Sequence, residues 1–269
     1  DYDKHFILTA DIDLDPNLPG GRVFDKAVIA PVRPWPSRSD KSFTGVLDGD
    51  GHTIRHLTIT GENYLGLFGE LGSGAEVRNL AVVDVNITGS GIYAGGLVGL
   101  NNGRITVSHV TGEVRGGSEV GGLVGGNYGT ILACYAQVKV SGTTYAGGFA
   151  GIARGTIKRC YATGEVVQAG EARILGGFSG GGGYTGKYVE GCLWNTQTSG
   201  IGVSSCGIGF DTSELMESQA YSLNGWAGDP NWVLAVGQDY PRLIWQGSPG
   251  QAIEEPVIDE LAGSGTAED

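Results

Sequence analysis

The stretch AGGLVGLNNGRITVSHVTGEV, residues 94–114, recurs in kind as VGGLVGGNYGTILACYAQVKV at 120–140 and AGGFAGIARGTIKRCYATGEV at 146–166. The three segments align without gaps. LGLFG at 65–69 and LGGFSG at 175–180 are further variants of the opening phrase. Gly66, Gly96, Gly122, Gly148 and Gly177 mark that phrase at intervals of 30, 26, 26 and 29 residues. A unit this short cannot bury an apolar face by itself, so successive units must stack. Gly103, Gly129 and Gly155 stand two positions before Ile105, Ile131 and Ile157, where a turn needing positive φ selects glycine.

From each isoleucine the chain alternates as a strand with one buried face. Ser108, Cys134 and Cys160 point inward, followed by Val110, Ala136 and Ala162, then Val114, Val140 and Val166. The positions between them are read as solvent-facing: His109, Tyr135 and Tyr161, then Thr111, Gln137 and Thr163, then Glu113, Lys139 and Glu165. Stacked units place equivalent residues about 4.8 Å apart, and the last of these columns alternates in sign, as like charges at that spacing would not. The expectation is an all-β parallel β-helix, or β-solenoid, with a short C-terminal helix and a capping segment.

HFILTADIDLD at 5–15 and FTGVLDGDGHTIRHLTITG at 43–61 read as earlier, less regular coils, separated by a surface loop from about Pro31 to Lys41. DTSELMESQAYSL from Asp211 reads as one short helix capped by Thr212 or Ser213, and WVLAVGQDYPRLIW at 232–245 as a cover for the open end of the stack. The solenoid and its cap are placed at 1–246. Residues 247–269, rich in Gly, Ser, Pro and acidic residues, read as a linker or assembly strand. Within that tail Ile253, Val257 and Ile258 supply apolar side chains with which a strand could add to a neighbouring molecule's open edge, giving head-to-tail homopolymers.

The phrases AGGLVG and VGGLVG, each followed by a turn and a strand, resemble the GLUG-motif repeats of bacterial surface and secreted proteins. So do ADIDL, FTGVLDGDGHTI, CLWNTQTSG at 192–200 and QDYPRLIW near the end. The resemblance spans about residues 5–246. It implies a parallel β-helix in an exported bacterial protein, adhesin-like or a non-catalytic part of a secreted peptidase, and it transfers no catalytic residues. Cys206 and the acidic tail depart from the usual pattern.

The composition narrows the function. Seventeen basic against 29 acidic residues give a net charge of −12, which disfavours nucleic acid and anionic membranes as partners. No apolar run is long enough to span a bilayer. The start at Asp1, strand-like and without Met, is read as a processed mature chain and hence as export to the cell surface or beyond. Of the four cysteines, none in a CxxC pair, Cys192 and Cys206 are the candidate disulfide across a loop, and Cys134 and Cys160 read as small buried residues.

Candidate sites are few. The column His109, Tyr135, Tyr161, with Gln137 and Glu165 beside it, presents stacked aromatic faces that could receive a sugar ring. Asp11, Asp13 and Asp15 put three carboxylates on one face of a strand, a pattern that could hold a structural calcium ion; no other cofactor is expected. Asp48, Asp50 and His52 in LDGDGH read as turn residues. Asn86-Ile87-Thr88 is a glycosylation sequon. No hydrolase elbow, metalloprotease or nucleotide motif is present. The functional expectation is a non-enzymatic extracellular structural protein that self-assembles into a fibre or scaffold. The alternatives are a glycan-binding adhesin module of a larger surface protein and a carbohydrate-active β-helix enzyme, which would cluster Lys or Arg with carboxylates on one outward face.

Overall fold

The structure, a computed structural model, describes residues 1–32, 42–170, 174–182 and 188–255. It is a parallel β-solenoid in which each coil visits four sheets in turn. In the coil that starts at Arg104, Arg104–Thr106 lies in sheet I, His109–Arg115 in sheet II, Ser118–Gly121 in sheet III and Val124–Asn127 in sheet IV. Thr130–Leu132 then returns the chain to sheet I one coil further on. Registers follow the gapless alignment: Ile105 pairs with Ile131 and Ile131 with Ile157, His109 with Tyr135 and Tyr135 with Tyr161. The first coils are equally parallel, with His5–Ile7 on Val46–Asp48 and Ile12–Asp13 on Thr53–Arg55.

The interior is built from columns of like residues. Ile105, Ile131 and Ile157 are fully buried, as are Val114 and Val140. Ser108, Cys134, Cys160 and Cys192 line the corner beside them, with the Cys134 amide donating to Cys160 Sγ at 3.4 Å. A second, polar column runs inside the turn after sheet IV. Asn101 Nδ2 donates to Asn127 Oδ1 at 2.7 Å, and Asn101 Oδ1 accepts from the Gly103 amide at 3.0 Å. Both asparagines are inaccessible to solvent, so truncating one strands buried polar atoms on the other. Asn127→Ala is therefore expected to lower the urea midpoint at unchanged slope by the equivalent of about 1–3 kcal/mol. Asn86→Ala, at an exposed position, should stay within about 0.5 kcal/mol.

The glycines of the repeated phrase are there for close approach. A Cβ on Gly96 would lie 2.7 Å from the Gly122 carbonyl oxygen, and one on Gly122 would lie 2.2 Å from that of Gly148. The chain reverses from sheet III to sheet IV at this corner, and no side chain fits between successive coils. Gly103, Gly129 and Gly155 answer to the same constraint. They do not adopt positive φ; a Cβ on Gly129 would meet the Gly103 oxygen at 2.1 Å and one on Gly155 the Gly129 oxygen at 2.2 Å.

Positive φ falls instead at the corner between sheets I and II, on Asn79, Val107, Ala133 and Arg159 (52°, 50°, 50° and 49°), continued by Gly191. The run from Arg104 is thus two strands meeting at a bend, which turns Ile105 and Ser108 into the interior from different sheets. Val107, β-branched in this region, is a strained position.

The C-terminal part departs most from expectation. Ile208–Phe210 adds a strand to sheet II, and residues around Val203–Gly207 close the end of the stack: Gly177 donates its amide to the Val203 carbonyl, and Gly207 packs on Phe178. The region from Asp211 forms two pieces, a 3-10 turn Glu214–Met216 and a helix Ser218–Ser222, separated by Glu217 in extended conformation. Asp211, rather than Thr212 or Ser213, caps the first. Its Oδ1 accepts from the Glu214 amide at 2.8 Å, while Glu214 Oε2 accepts from the Asp211 amide at 2.8 Å. A helix Thr196–Ser199, capped by Asn195, was not anticipated.

Trp232–Leu234, Arg242–Leu243 and Gln251–Ala252 form a small antiparallel sheet. The folded body therefore continues past Gln246, and the boundary placed there is corrected to beyond Ile253, a residue 2% exposed.

Candidate functional site

The column His109, Tyr135, Tyr161 points away from the solenoid interior, as the alternation requires, but it does not face solvent. The three residues are 5%, 0% and 0% exposed. Their rings stack nearly parallel, His109 on Tyr135 at 4.5 Å and Tyr135 on Tyr161 at 5.0 Å. The C-terminal segment lies over them. Trp232 packs against Tyr135 and Tyr161 at 6.2 and 5.7 Å, Trp245 stacks on His109 at 5.7 Å, and Tyr240 stacks on Tyr161. The segment at 232–245 is thus a cover for the flank of the stack and not for its end.

Hydrogen bonds fix this cover to particular coils. Tyr161 Oη donates to the Pro241 carbonyl at 2.7 Å, Trp245 Nε1 to the Val107 carbonyl at 3.1 Å and Trp226 Nε1 to the Gly191 carbonyl at 2.7 Å. Tyr135 Oη receives Gln246 Nε2 at 2.9 Å and Arg242 Nη1 at 3.2 Å. Arg159, on the strained corner, forms an ion pair with the buried carboxylate of Asp229. Burial, with a smaller contribution from the Arg242 charge, pushes the His109 imidazole down to about 3, and burial pushes the Tyr161 phenol well up.

The sugar-binding expectation for this column is accordingly corrected, because the faces that would receive a ring are occupied by the protein's own aromatics. Of the two polar neighbours, Gln137 is half-buried. Glu165 is exposed and pairs with Lys139 at 2.7 Å.

The three aspartates of the first coil are each engaged by other groups of the protein. Asp11 accepts from the Thr53 amide at 3.0 Å and from Arg55 Nη2 at 3.0 Å and contacts His52 Nδ1 at 3.2 Å, and these, the Thr53 amide foremost, hold its carboxyl down at about 2. Asp13 contacts His56 Nδ1 at 2.8 Å, and Asp15 receives Asn17. Arg55 thus neutralises Asp11, while Asp13 and Asp15 are engaged by His56 and Asn17, and among the described residues no cluster of three or more His, Cys, Asp or Glu is arranged for a metal. Asp48 shapes its turn through Arg78, Asn79 and the Asp50 amide.

All four thiols are free, so the Cys192–Cys206 disulfide is not formed in this structure. Cys192 is buried and Cys206 half-buried, its thiol pushed up to about 11 by burial with a smaller contribution from Cys192. A maleimide at neutral pH is expected to label the native protein once, slowly, at Cys206, and to label it four times after denaturation. A denatured stoichiometry of two would instead show a disulfide.

Ile253 is packed among Trp226, Trp232 and Leu243 of its own chain, and Gln251–Ala252 pairs with Val233–Leu234. Ile253, expected to extend a neighbour's edge, is instead buried against its own chain; Val257 and Ile258 lie outside the described residues. Asn86 is exposed on the strand Ala81–Gly89. Arg242 and Trp245 lie in the stretch read as an end cover, but their seat on the aromatic flank, and the parts played by Gln246 and Asp229, are not legible in the sequence. The signal available was an unbroken aromatic column beside columns of polar residues, matched by a C-terminal segment rich in Trp and Tyr.

The profile of the GLUG motif matches residues 142–167, one coil of the stack, in agreement with the resemblance carried by the repeats. The chain is 36% identical over 119 residues to halomucin of Haloquadratum walsbyi, an alignment covering 42% of this chain and 1% of that protein. It is 37% identical over 111 residues to a protein of Evansella cellulosilytica named "Putative Gly-rich membrane protein", covering 38% of this chain and 11% of that one. The match thus spans a small part of either relative. Among solved structures, one titled as a "putative immunoglobulin A1 protease" from Bacteroides ovatus superimposes with a TM-score of 0.59 at 20% identity, over 90% of this chain and 86% of that one. At that identity the likeness is one of fold. No helix among the described residues is long and apolar enough to cross a membrane.

Proposed function

We propose that this chain is a non-catalytic structural module of a cell-surface or exported protein, a rigid β-solenoid that spaces or displays other parts of a longer assembly. The observation that carries this reading is where the repeated residues go. Glycines of the phrase sit at coil-to-coil contacts, Val, Ile, Leu and Cys fill the interior, Asn101 donates to Asn127 of the next coil, and the aromatic column is spent on docking the chain's own C-terminal segment. Repetition of that kind serves stacking. Similarity to halomucin and to a protein named for a membrane supports a surface location.

Protease shaving of intact cells that produce the parent protein tests this reading. Peptides from the solenoid should be released while a cytosolic marker stays inside. Full protection that persists until the cells are lysed would contradict it.

A further inference from the structure

His109 is the one residue of the buried column whose side chain can take up a proton and become a cation. It is flat between Tyr135 and Trp245, and its Nε2 faces the side-chain amide nitrogen of Gln246 at 3.2 Å. That amide cannot simply turn over. Gln246 Oε1 accepts from the Leu243 amide at 2.8 Å and Nε2 donates to Tyr135 Oη at 2.9 Å, so the nitrogen is the end presented to His109. Nε2 of His109 must therefore be an acceptor, and the imidazole is neutral with its proton on Nδ1, an atom that is buried without a partner.

The surroundings offer nothing to hold an imidazolium. Tyr135 is the neighbour on the next coil and Ala81 on the previous one. Trp245 packs on Gly51, between Asp50 and His52, and His52 is engaged by Asp11. The charged group that acts on His109 is the Arg242 guanidinium, itself bound to Asp239 at 2.7 and 2.8 Å. Among the described residues no carboxylate contacts His109.

We propose that Arg242–Gln246 is an acid-released strap: protonation of His109 turns its acceptor into a donor facing the Gln246 amide, beside Arg242, and lifts the strap from the flank while the coils stay folded. The released state exposes the His109–Tyr135 stack and Trp245. The strapped state holds His109 at about 3 against 6.5 for the free side chain, so it binds the proton less well than the open one. Strap stability is thus complete above pH 6.5 and is lost as pH falls toward 3, the opening equilibrium rising about tenfold per unit, to roughly 300-fold at pH 4.

The test is amide hydrogen exchange of the full chain at pH 7, 5.5 and 4.5, corrected for the intrinsic pH dependence of exchange and read at Leu243–Gln246 and at Ala136–Val140. The wild type should lose protection in the strap on acidification and keep it in the coil. His109→Phe, which preserves the stack but cannot titrate, should lose the pH dependence. Gln246→Glu, which places a carboxylate against the imidazolium, should hold the strap shut at pH 4.5. Strap exchange that is flat with pH in the wild type would overturn the proposal. So would equal pH dependence in His109→Phe, or loss of protection in strap and coil together.

Discussion

Tyr161→Ala is expected to lower the melting temperature by about 10 °C. The side chain is fully buried, stacked on Tyr135 and Tyr240, packed against Trp226 and Trp232, and bonded through its hydroxyl to the Pro241 carbonyl. Removing a large buried ring costs about 3–5 kcal/mol through lost transfer energy and the cavity left behind, and in a protein of this size each kcal/mol moves the midpoint by about 2–4 °C. Tyr161→Phe should cost only about 1 kcal/mol, the share of one hydrogen bond. Circular dichroism melts of the three proteins decide the matter. If the alanine variant melts within a degree or two of the wild type, Tyr161 is not covered as described.

Gly122→Ala is the second large effect and acts through the backbone. The added methyl would stand 2.2 Å from the Gly148 carbonyl oxygen, 3.0 Å from Ala136 Cβ and 3.2 Å from Val138 Cβ. The first of these is backbone of the next coil, so the coil spacing itself must yield. Overpacking typically costs about 1–3 kcal/mol and occasionally more; a clash with main chain in the middle of the stack belongs at or above the upper end. Gly202→Ala is the control. Nothing lies within 4 Å of its Cβ position, and its change should stay within about 0.5 kcal/mol. Urea titrations that rank the two variants together would mean that the phrase glycine is not needed for close approach.

What was legible in the sequence was whatever the stacking period alone controls. Ser108, Cys134 and Cys160 are inside, and so are Val114, Val140 and Val166, because a strand with one buried face leaves no other choice. The alternating column is real, Lys139 sitting beside Glu113 in register and paired with Glu165, although exposed pairs of this kind contribute little stability. The role of Gly129 was misassigned because two demands, positive φ and the absence of a Cβ, select the same residue. Only the geometry tells them apart.

The covered flank was out of reach for a different reason. Periodicity says that His109, Tyr135 and Tyr161 point away from the solenoid interior, but it cannot say whether water or another part of the chain waits there. The partner comes from residues 226–246, more than 60 positions beyond Tyr161, and no local pattern links the two. The tail shows the same limit in miniature: Ile253 looked like a strand for a neighbour and is a side chain of the chain's own cap.

The most direct measurement of this arrangement is photo-cross-linking from position 135, with benzoylphenylalanine in place of Tyr135, followed by mass spectrometry of the monomer band. The structure predicts cross-links within one molecule to Trp232 and to the segment Arg242–Gln246. Cross-links only between molecules, or none to residues beyond 226, would contradict a solenoid whose aromatic flank is closed by its own C-terminal segment.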